Sequence, residues 1–122
     1  MIKGIGSDIL EIDRIELAIK KNPRFLTKIY TKNELDYYYE KGKKAETLAG
    51  IFCAKEAVAK ALGTGFVSFS FIDIEICKYP SGKPYVLLHK NAHKILNEIN
   101  ASNINLSISH SKYYAQAVAV ID

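Results

Sequence analysis

The segment from Phe52 to Gly65 places a carboxylate, Glu56, between two ammonium groups, Lys55 and Lys60, on an otherwise small and apolar surface. A helix that only packs has no use for such a triplet, whereas a site for a metal ion and a polyphosphate does. The competing reading is a surface ion pair between Glu56 and Lys60, four residues apart and worth about 0.3–0.5 kcal/mol. Upstream, Gly4-Ile-Gly6-Ser-Asp8 sets an acid in a strand that Ile5, Ile9, Leu10 and Ile12 make apolar. This is not a dinucleotide fingerprint, because the third glycine is missing and no helix follows at once. Held near Glu56, Asp8 would supply a second hard oxygen ligand. Mg²⁺ typically takes one or two protein carboxylates, keeps several waters and accepts phosphate oxygens.

Downstream, Ser109-His110-Ser111 ends an apolar strand. It reads either as a core histidine or as an imidazole and two hydroxyls aimed at a phosphate. A Ser–His hydrolase is the weaker reading, because no nucleophile elbow is present and adjacent strand residues point to opposite faces. His89 and His93 are four apart on an expected helix, but Lys90 stands where a zinc protease helix carries Glu, so they read as solvated. Arg14, Lys20, Lys21 and Arg24 form a basic patch, either a solvated face or a docking surface for an acidic helix.

The elements that must position these residues can be read from periodicity. Residues 2–12 form a first strand. Asp13 and Glu16 suggest a capping box opening a short helix that Asn22-Pro23 stops. Thr31 and Glu34 suggest a second box, for a helix over 31–41 with Leu35, Tyr38 and Tyr39 inward and Gly42 as its C-terminal cap. A long helix covers 45–62, with Leu48, Ile51, Phe52, Val58 and Leu62 toward the core, and Gly63 and Gly65 end it. The period then becomes two: Ile72, Ile74 and Ile76 alternate with Asp73, Glu75 and Cys77 as a half-buried strand. Pro80 to Lys83 turn into a return strand at 85–88. An amphipathic helix covers 89–99, and strands follow at 104–111 and 114–121. Helices cluster early and strands late, which gives an α+β fold with a mostly antiparallel sheet packed by one long and several short helices.

The 122 residues, 48% hydrophobic and 25% charged, fit one globular domain, 1–122. No apolar run reaches the roughly 18–20 residues of a membrane span. Cys53 and Cys77 read as small buried hydrophobes in a reducing compartment, and the expected location is cytoplasmic. The net charge of +4 allows an acidic partner without choosing one. A small basic RNA-binding domain is the rival reading, from the pI near 9.0 and the eight tyrosines. It explains neither Asp8 nor Glu56.

Together these motifs resemble holo-acyl carrier protein synthase, the short bacterial-type class of 4′-phosphopantetheinyl transferases. The likeness rests on Gly4-Ile-Gly6-Ser-Asp8-Ile through Arg14, Phe52-x-x-Lys55-Glu56-Ala57-x-x-Lys60-Ala61, Gly63-Thr64-Gly65, Gly82-Lys83-Pro84 and Ser107-x-Ser109-His110-Ser111. It runs from about residue 2 to 121. It implies transfer of 4′-phosphopantetheine from coenzyme A to a serine of apo-acyl carrier protein, within fatty acid biosynthesis. It implies Mg²⁺ on Asp8 and Glu56, and Lys60 on the pyrophosphate. Gly63, Gly65, Gly82, Lys83, Pro84, Ser109, His110 and Ser111 would lie around coenzyme A, and Arg14, Lys21 and Arg24 would dock the carrier. Glu56 and a water on the metal are the two acceptors for the serine proton. A homotrimer with active sites between subunits is expected, with no nucleic acid or membrane partner. One position departs from the pattern: Ile51 stands where relatives often carry an arginine, which shifts the expected phosphate contact to Lys43, Lys44, His110 or a neighbouring subunit.

Overall fold

The computed structural model describes residues 1–122. In chain order the elements are β1 (Gly4–Glu11), α1 (Ile12–Lys21), α2 (Phe25–Ile29), α3 (Lys32–Glu40), α4 (Ala45–Ala61), a 3₁₀ turn (Phe71–Asp73), β2 (Ile74–Lys78), β3 (Pro84–Leu88), α5 (Lys90–Glu98), β4 (Ile104–His110) and β5 (Tyr114–Ile121). All strand pairs are antiparallel. They form two sheets rather than one: a three-stranded sheet in the order β1-β5-β4, and the hairpin β2-β3.

The long helix α4 is the centre of the molecule. Most of its 17 residues are buried, the pattern of a helix covered on several sides. The three-stranded sheet packs on it through a row of alanines, Ala115, Ala117 and Ala119, all fully buried. Small side chains bring strand and helix backbones close, and the glycines of β1 carry this to its limit. A Cβ on Gly6 would overlap the carbonyl oxygen of Ala57, and one on Gly4 that of Ala61. Two strand residues advance about 6.6 Å and four helical residues about 6 Å, so the two elements stay in step. Continuing the series by two residues on β1 and four on α4 puts Asp8 beside Cys53.

Several expectations fail, each for a physical reason. No Asp13 capping box forms, because β1 pairs with β5 as far as Glu11 and runs straight into α1; the N-cap is Glu11, without a side-chain cap bond. Ile72 and Asp73 are not strand: they sit in the 3₁₀ turn, with Ile72 39% exposed. Asp73 turns inward because its carboxylate accepts from the backbone N–H of Ser70. Glu75, expected on the wet face of its strand, is buried, since its carboxylate accepts from Thr31 Oγ1, Asn33 Nδ2 and His89 Nε2. Burial pushes this carboxyl up, but those hydrogen bonds outweigh it and leave Glu75 below the usual carboxylate range. His89 is exposed as expected, but it takes the N-cap position of α5 rather than lying within the helix, and it pairs at 3.0 Å with Glu75. On α3, Tyr38 is buried as expected and Tyr39 is exposed.

The capping box of Thr31 and Glu34 does form, but Glu34 does more than cap. Its Oε1 also accepts from the fully buried Lys55 at 2.8 Å, and its Oε2 from the Ile76 N–H at 2.7 Å. Lys55 donates further to the carbonyls of Phe71 and Ile74. Lys55 is thus a strut joining α3, α4 and β2, not part of a phosphate site. Burial pushes the Glu34 carboxyl up and the Lys55 ammonium down, while each one's charge helps keep the other ionised. Lys55→Met leaves a buried carboxylate without a counter-charge and should cost about 3–5 kcal/mol in urea unfolding. Adding Glu34→Leu should restore part of that loss; no restoration would show that the pair is not the source.

Candidate active site

Asp8 lies on the face of β1 turned to α4, in the same alternation as Gly4 and Gly6, and its side chain is 19% exposed. Lys60, one turn beyond Glu56 on α4, extends across to β1. Its Nζ donates to the Ser7 carbonyl at 2.8 Å and lies 3.4 Å from Asp8 Oδ1. Lys60 therefore pairs with Asp8 and not with Glu56, and the helix-surface ion pair of the competing reading is not formed. Glu56 is half-buried within range of both. Burial raises its pKa, Asp8's negative charge raises it further, and Lys60 lowers it in part. Two carboxylates are thus held together with one ammonium between them and the chain.

The sequence did not reveal that Cys53 completes this cluster. Its thiol is pushed up to about 12 by burial, by the charge and hydrogen bonding of Asp8, and by Glu56. That makes it an inert, protonated neighbour rather than a thiolate ligand. No group of three or more Asp, Glu, His or Cys side chains is placed to bind a metal. The donor set is two carboxylates, which suits a hard cation that fills its other positions with water and phosphate oxygens. Ser7, Asp8, Ile9, Lys60 and Gln116 line an open cleft of about 370 Å³ beside the cluster. A larger cavity of about 840 Å³ lies between α2, α3 and the 3₁₀ turn, away from both carboxylates. Charge, not size, marks the site.

The other expected residues fall in three places. Gly63 and Gly65 close α4 at φ +88° and +63°, with the Gly65 N–H donating to the Ala59 carbonyl; ending the helix accounts for both. Gly82, Lys83 and Pro84 belong to the β2–β3 hairpin, with Gly82 at φ +91° in the turn and Pro84 opposite Lys78. No hydrogen bond or ion pair joins them to Asp8, Glu56 or Lys60. Ser109 and His110 point to opposite faces of β4. Gln116 Nε2 donates to Ser109 Oγ on the outer face, whereas His110, itself half exposed, lies on the other face with Nδ1 3.5 Å from Glu46 Oε2. Ser111 lies in the turn that follows, where its Oγ accepts from the Tyr114 N–H. Arg14, Lys21 and Arg24 are all exposed along α1 and the start of α2. Arg14 has only a long contact of 3.9 Å to Glu11, also exposed. β1 feeds α1 without a loop, so this basic surface begins a few residues from Asp8.

Comparison with known proteins identifies the family. The family model of the 4′-phosphopantetheinyl transferase superfamily matches residues 4–119. The holo-[acyl-carrier-protein] synthase of Alkaliphilus metalliredigens is 51% identical over 98% of each chain. The crystal structure of the Neisseria meningitidis holo-[acyl-carrier-protein] synthase superposes with a TM-score of 0.92 at 38% identity, over 100% of this chain and 99% of that one. The Helicobacter pylori synthase in complex with coenzyme A superposes with a TM-score of 0.85 at 35% identity, over 97% and 99% of the two chains. With residues 4–119 matched by the family model and a curated relative 51% identical over nearly the whole chain, the chain belongs to the 4′-phosphopantetheinyl transferase superfamily, among the holo-acyl carrier protein synthases.

Proposed function

We infer that this protein transfers the 4′-phosphopantetheine arm of coenzyme A to a serine of apo-acyl carrier protein. The serine hydroxyl gives its proton to Glu56 or to water, its oxygen forms a bond to the β-phosphorus of the coenzyme A pyrophosphate, the bridging P–O bond breaks, and adenosine 3′,5′-bisphosphate leaves. One observation carries this reading: close packing of Gly4 and Gly6 on α4 brings Asp8 and Glu56, 48 positions apart in sequence, into one charged cluster with Lys60. The direct test is to incubate the protein with apo-acyl carrier protein, coenzyme A and Mg²⁺ and weigh the carrier. A carrier heavier by one phosphopantetheine is expected, and an unchanged mass overturns the reading.

Asp8 and Glu56 would hold Mg²⁺, because their mutual repulsion is only partly relieved by Lys60. When bound, Mg²⁺ neutralises pyrophosphate charge and polarises the phosphorus under attack. Lys60, half exposed at the cleft, can turn its ammonium from the Ser7 carbonyl to a phosphate oxygen. The rest of the task is positioning, which the rigid β1–α4 contact supplies. Action in the cytoplasm, on the carrier of fatty acid biosynthesis, is part of the same reading.

The carrier's acidic helix would dock on the exposed Arg14, Lys21 and Arg24, of which only Arg14 has an ion-pair contact, at 3.9 Å to Glu11. Arg14→Glu should raise the KM for the carrier about tenfold, more so at low salt, and leave the KM for coenzyme A within about twofold. Equal changes in both would remove Arg14 from docking.

Self-assembly into a homotrimer, with active sites between subunits, is supported by the outer face of the three-stranded sheet. Ile5 and Ile9 are 68% and 67% exposed there, with Val118 and Val120 beside them on β5. An apolar sheet face of this kind calls for a covering partner. Sedimentation should give three times the chain mass, and Ile9→Lys should give monomers with little activity. A wild-type monomer that is fully active would exclude the shared site.

A further inference from the structure

The cavity of about 840 Å³ between α2, α3 and the 3₁₀ turn has no part in the transfer chemistry: none of Asp8, Glu56 and Lys60 lines it. Its floor is apolar and is made by Tyr30, Leu35, Tyr39 and Ile72. Tyr30 commits its hydroxyl to the Leu48 carbonyl at 2.9 Å, which leaves its ring to the wall. Tyr39 and Ile72 are patterned in the sequence as inward residues, yet the fold leaves them 49% and 39% exposed. Both face this one cavity. A volume of this size lies within the range of small-molecule sites, about 300–1,000 Å³, which are lined mostly by such side chains.

The polar groups around this floor are engaged almost throughout. Asp36 holds Lys32 at 3.1 Å, and the Asp73 carboxylate accepts from the Ser70 N–H. The hydroxyls of Thr27 and Thr31 donate to the Arg24 carbonyl and to Glu75. His89 is fixed from two sides: its backbone N–H donates to the Asp73 carbonyl at 2.8 Å, and its Nε2 lies 3.0 Å from Glu75. Lys90, the next residue, makes no ion pair and no side-chain hydrogen bond, and it takes φ +52° at the start of α5. Lys90 Nζ and His89 Nδ1 are thus the basic groups left free at the rim, with no unpaired carboxylate beside them.

We propose that this cavity binds a small amphipathic monocarboxylate, of which an unbranched medium-chain fatty acid is the simplest. Its chain would lie along Tyr30, Leu35, Tyr39 and Ile72, and its carboxylate on Lys90. The floor sets an apolar body, and the one unpaired ammonium sets a single negative charge at one end. A neutral chain would leave Lys90 without a partner, and a phosphate dianion would leave the floor uncovered. A second copy of the chain suits the sheet face of Ile5 and Ile9 better than a concave site of this kind. The proposal stands apart from the transferase reading, since the two sites share no residue.

Calorimetry with octanoate tests it, with octan-1-ol as the neutral probe of equal length. The wild-type protein should bind one octanoate per chain with a Kd on the order of 100 μM, and octan-1-ol about tenfold more weakly. Lys90→Asn removes the charge with a residue that accepts the left-handed backbone. It should weaken octanoate to the level of octan-1-ol and leave octan-1-ol within about twofold. Thr27→Trp, at an exposed position on the wall, should fill the cavity and abolish binding of both. Thermal melting checks the fold, and Ile72→Glu, which adds a negative charge to the floor, carries the same comparison if Thr27→Trp melts early. Octanoate should still bind in the presence of saturating adenosine 3′,5′-bisphosphate. Displacement by that nucleotide would put the acid in the coenzyme A site and overturn the proposal. Absence of saturable binding to the wild-type protein would overturn it too, whether the cavity stays empty or a second copy covers it, as would binding that survives Thr27→Trp. Equal losses of acid and alcohol in Lys90→Asn would remove Lys90 as the partner of the carboxylate.

Discussion

Glu56→Gln is expected to lower kcat/KM for carrier modification by at least about a hundredfold, while the metal-free protein melts at the same temperature or slightly higher. The two halves of this result have one cause. Glu56 is a carboxylate kept half-buried beside Asp8, and both burial and Asp8's charge raise its pKa. Without a cation its ionised form works against the fold. The amide keeps the shape and removes the repulsion, but gives up an anionic ligand. Addition of Mg²⁺ with coenzyme A should raise the melting temperature of the wild-type protein and not that of the variant, because a ligand stabilises only the state that binds it. Near-normal turnover at saturating Mg²⁺, or a large fall in stability, would show that Glu56 serves the fold and not the chemistry.

Gly6→Ala should be, with Gly4→Ala, among the most damaging single-methyl changes in the chain. The new Cβ would overlap the Ala57 carbonyl, which is helix backbone and cannot swing aside as a long side chain would. Overpacking of this kind costs about 1–3 kcal/mol, occasionally more, and the upper part of that range is expected here. Activity should fall further than stability explains, because β1 carries Asp8 two residues on. A shift of about 1 Å at a reacting centre can cost on the order of a hundredfold in rate. Gly50→Ala is the control. Its Cβ would meet only the Ile108 side chain, at 3.0 Å, which can adjust. If both substitutions had equal effects on activity at equal stability, the idea that the glycines set the Asp8–Glu56 spacing would be wrong.

The elements were legible because each has its own period and stop signals. Thr31 and Glu34 marked α3, Gly63 ended α4, and the alternation of Ile104, Leu106 and Ile108 marked β4. What misled was polarity used as a sign of exposure. Glu34, Lys55, Asp73 and Glu75 are all buried, and each is satisfied by a partner far away in sequence or by a local turn. A carboxylate that finds a lysine 21 positions later cannot be told from a wet one by local pattern. Lys55 was read beside Glu56 and Lys60 for that reason, although successive residues on a helix point about 100° apart.

The same division holds for the site. The residue types and their spacing determined the α+β fold and the mostly antiparallel pairing, because those follow from local periodicity, and the chemistry of their side chains marked Asp8 and Glu56 as candidate ligands. Only the tertiary structure decided which charges meet. It turned Lys60 to Asp8, gave Lys55 to Glu34 and separated Ser109 from His110. Such choices depend on how close two backbones come and which face each side chain takes, and these are set by long-range packing, above all by Gly4 and Gly6 against α4.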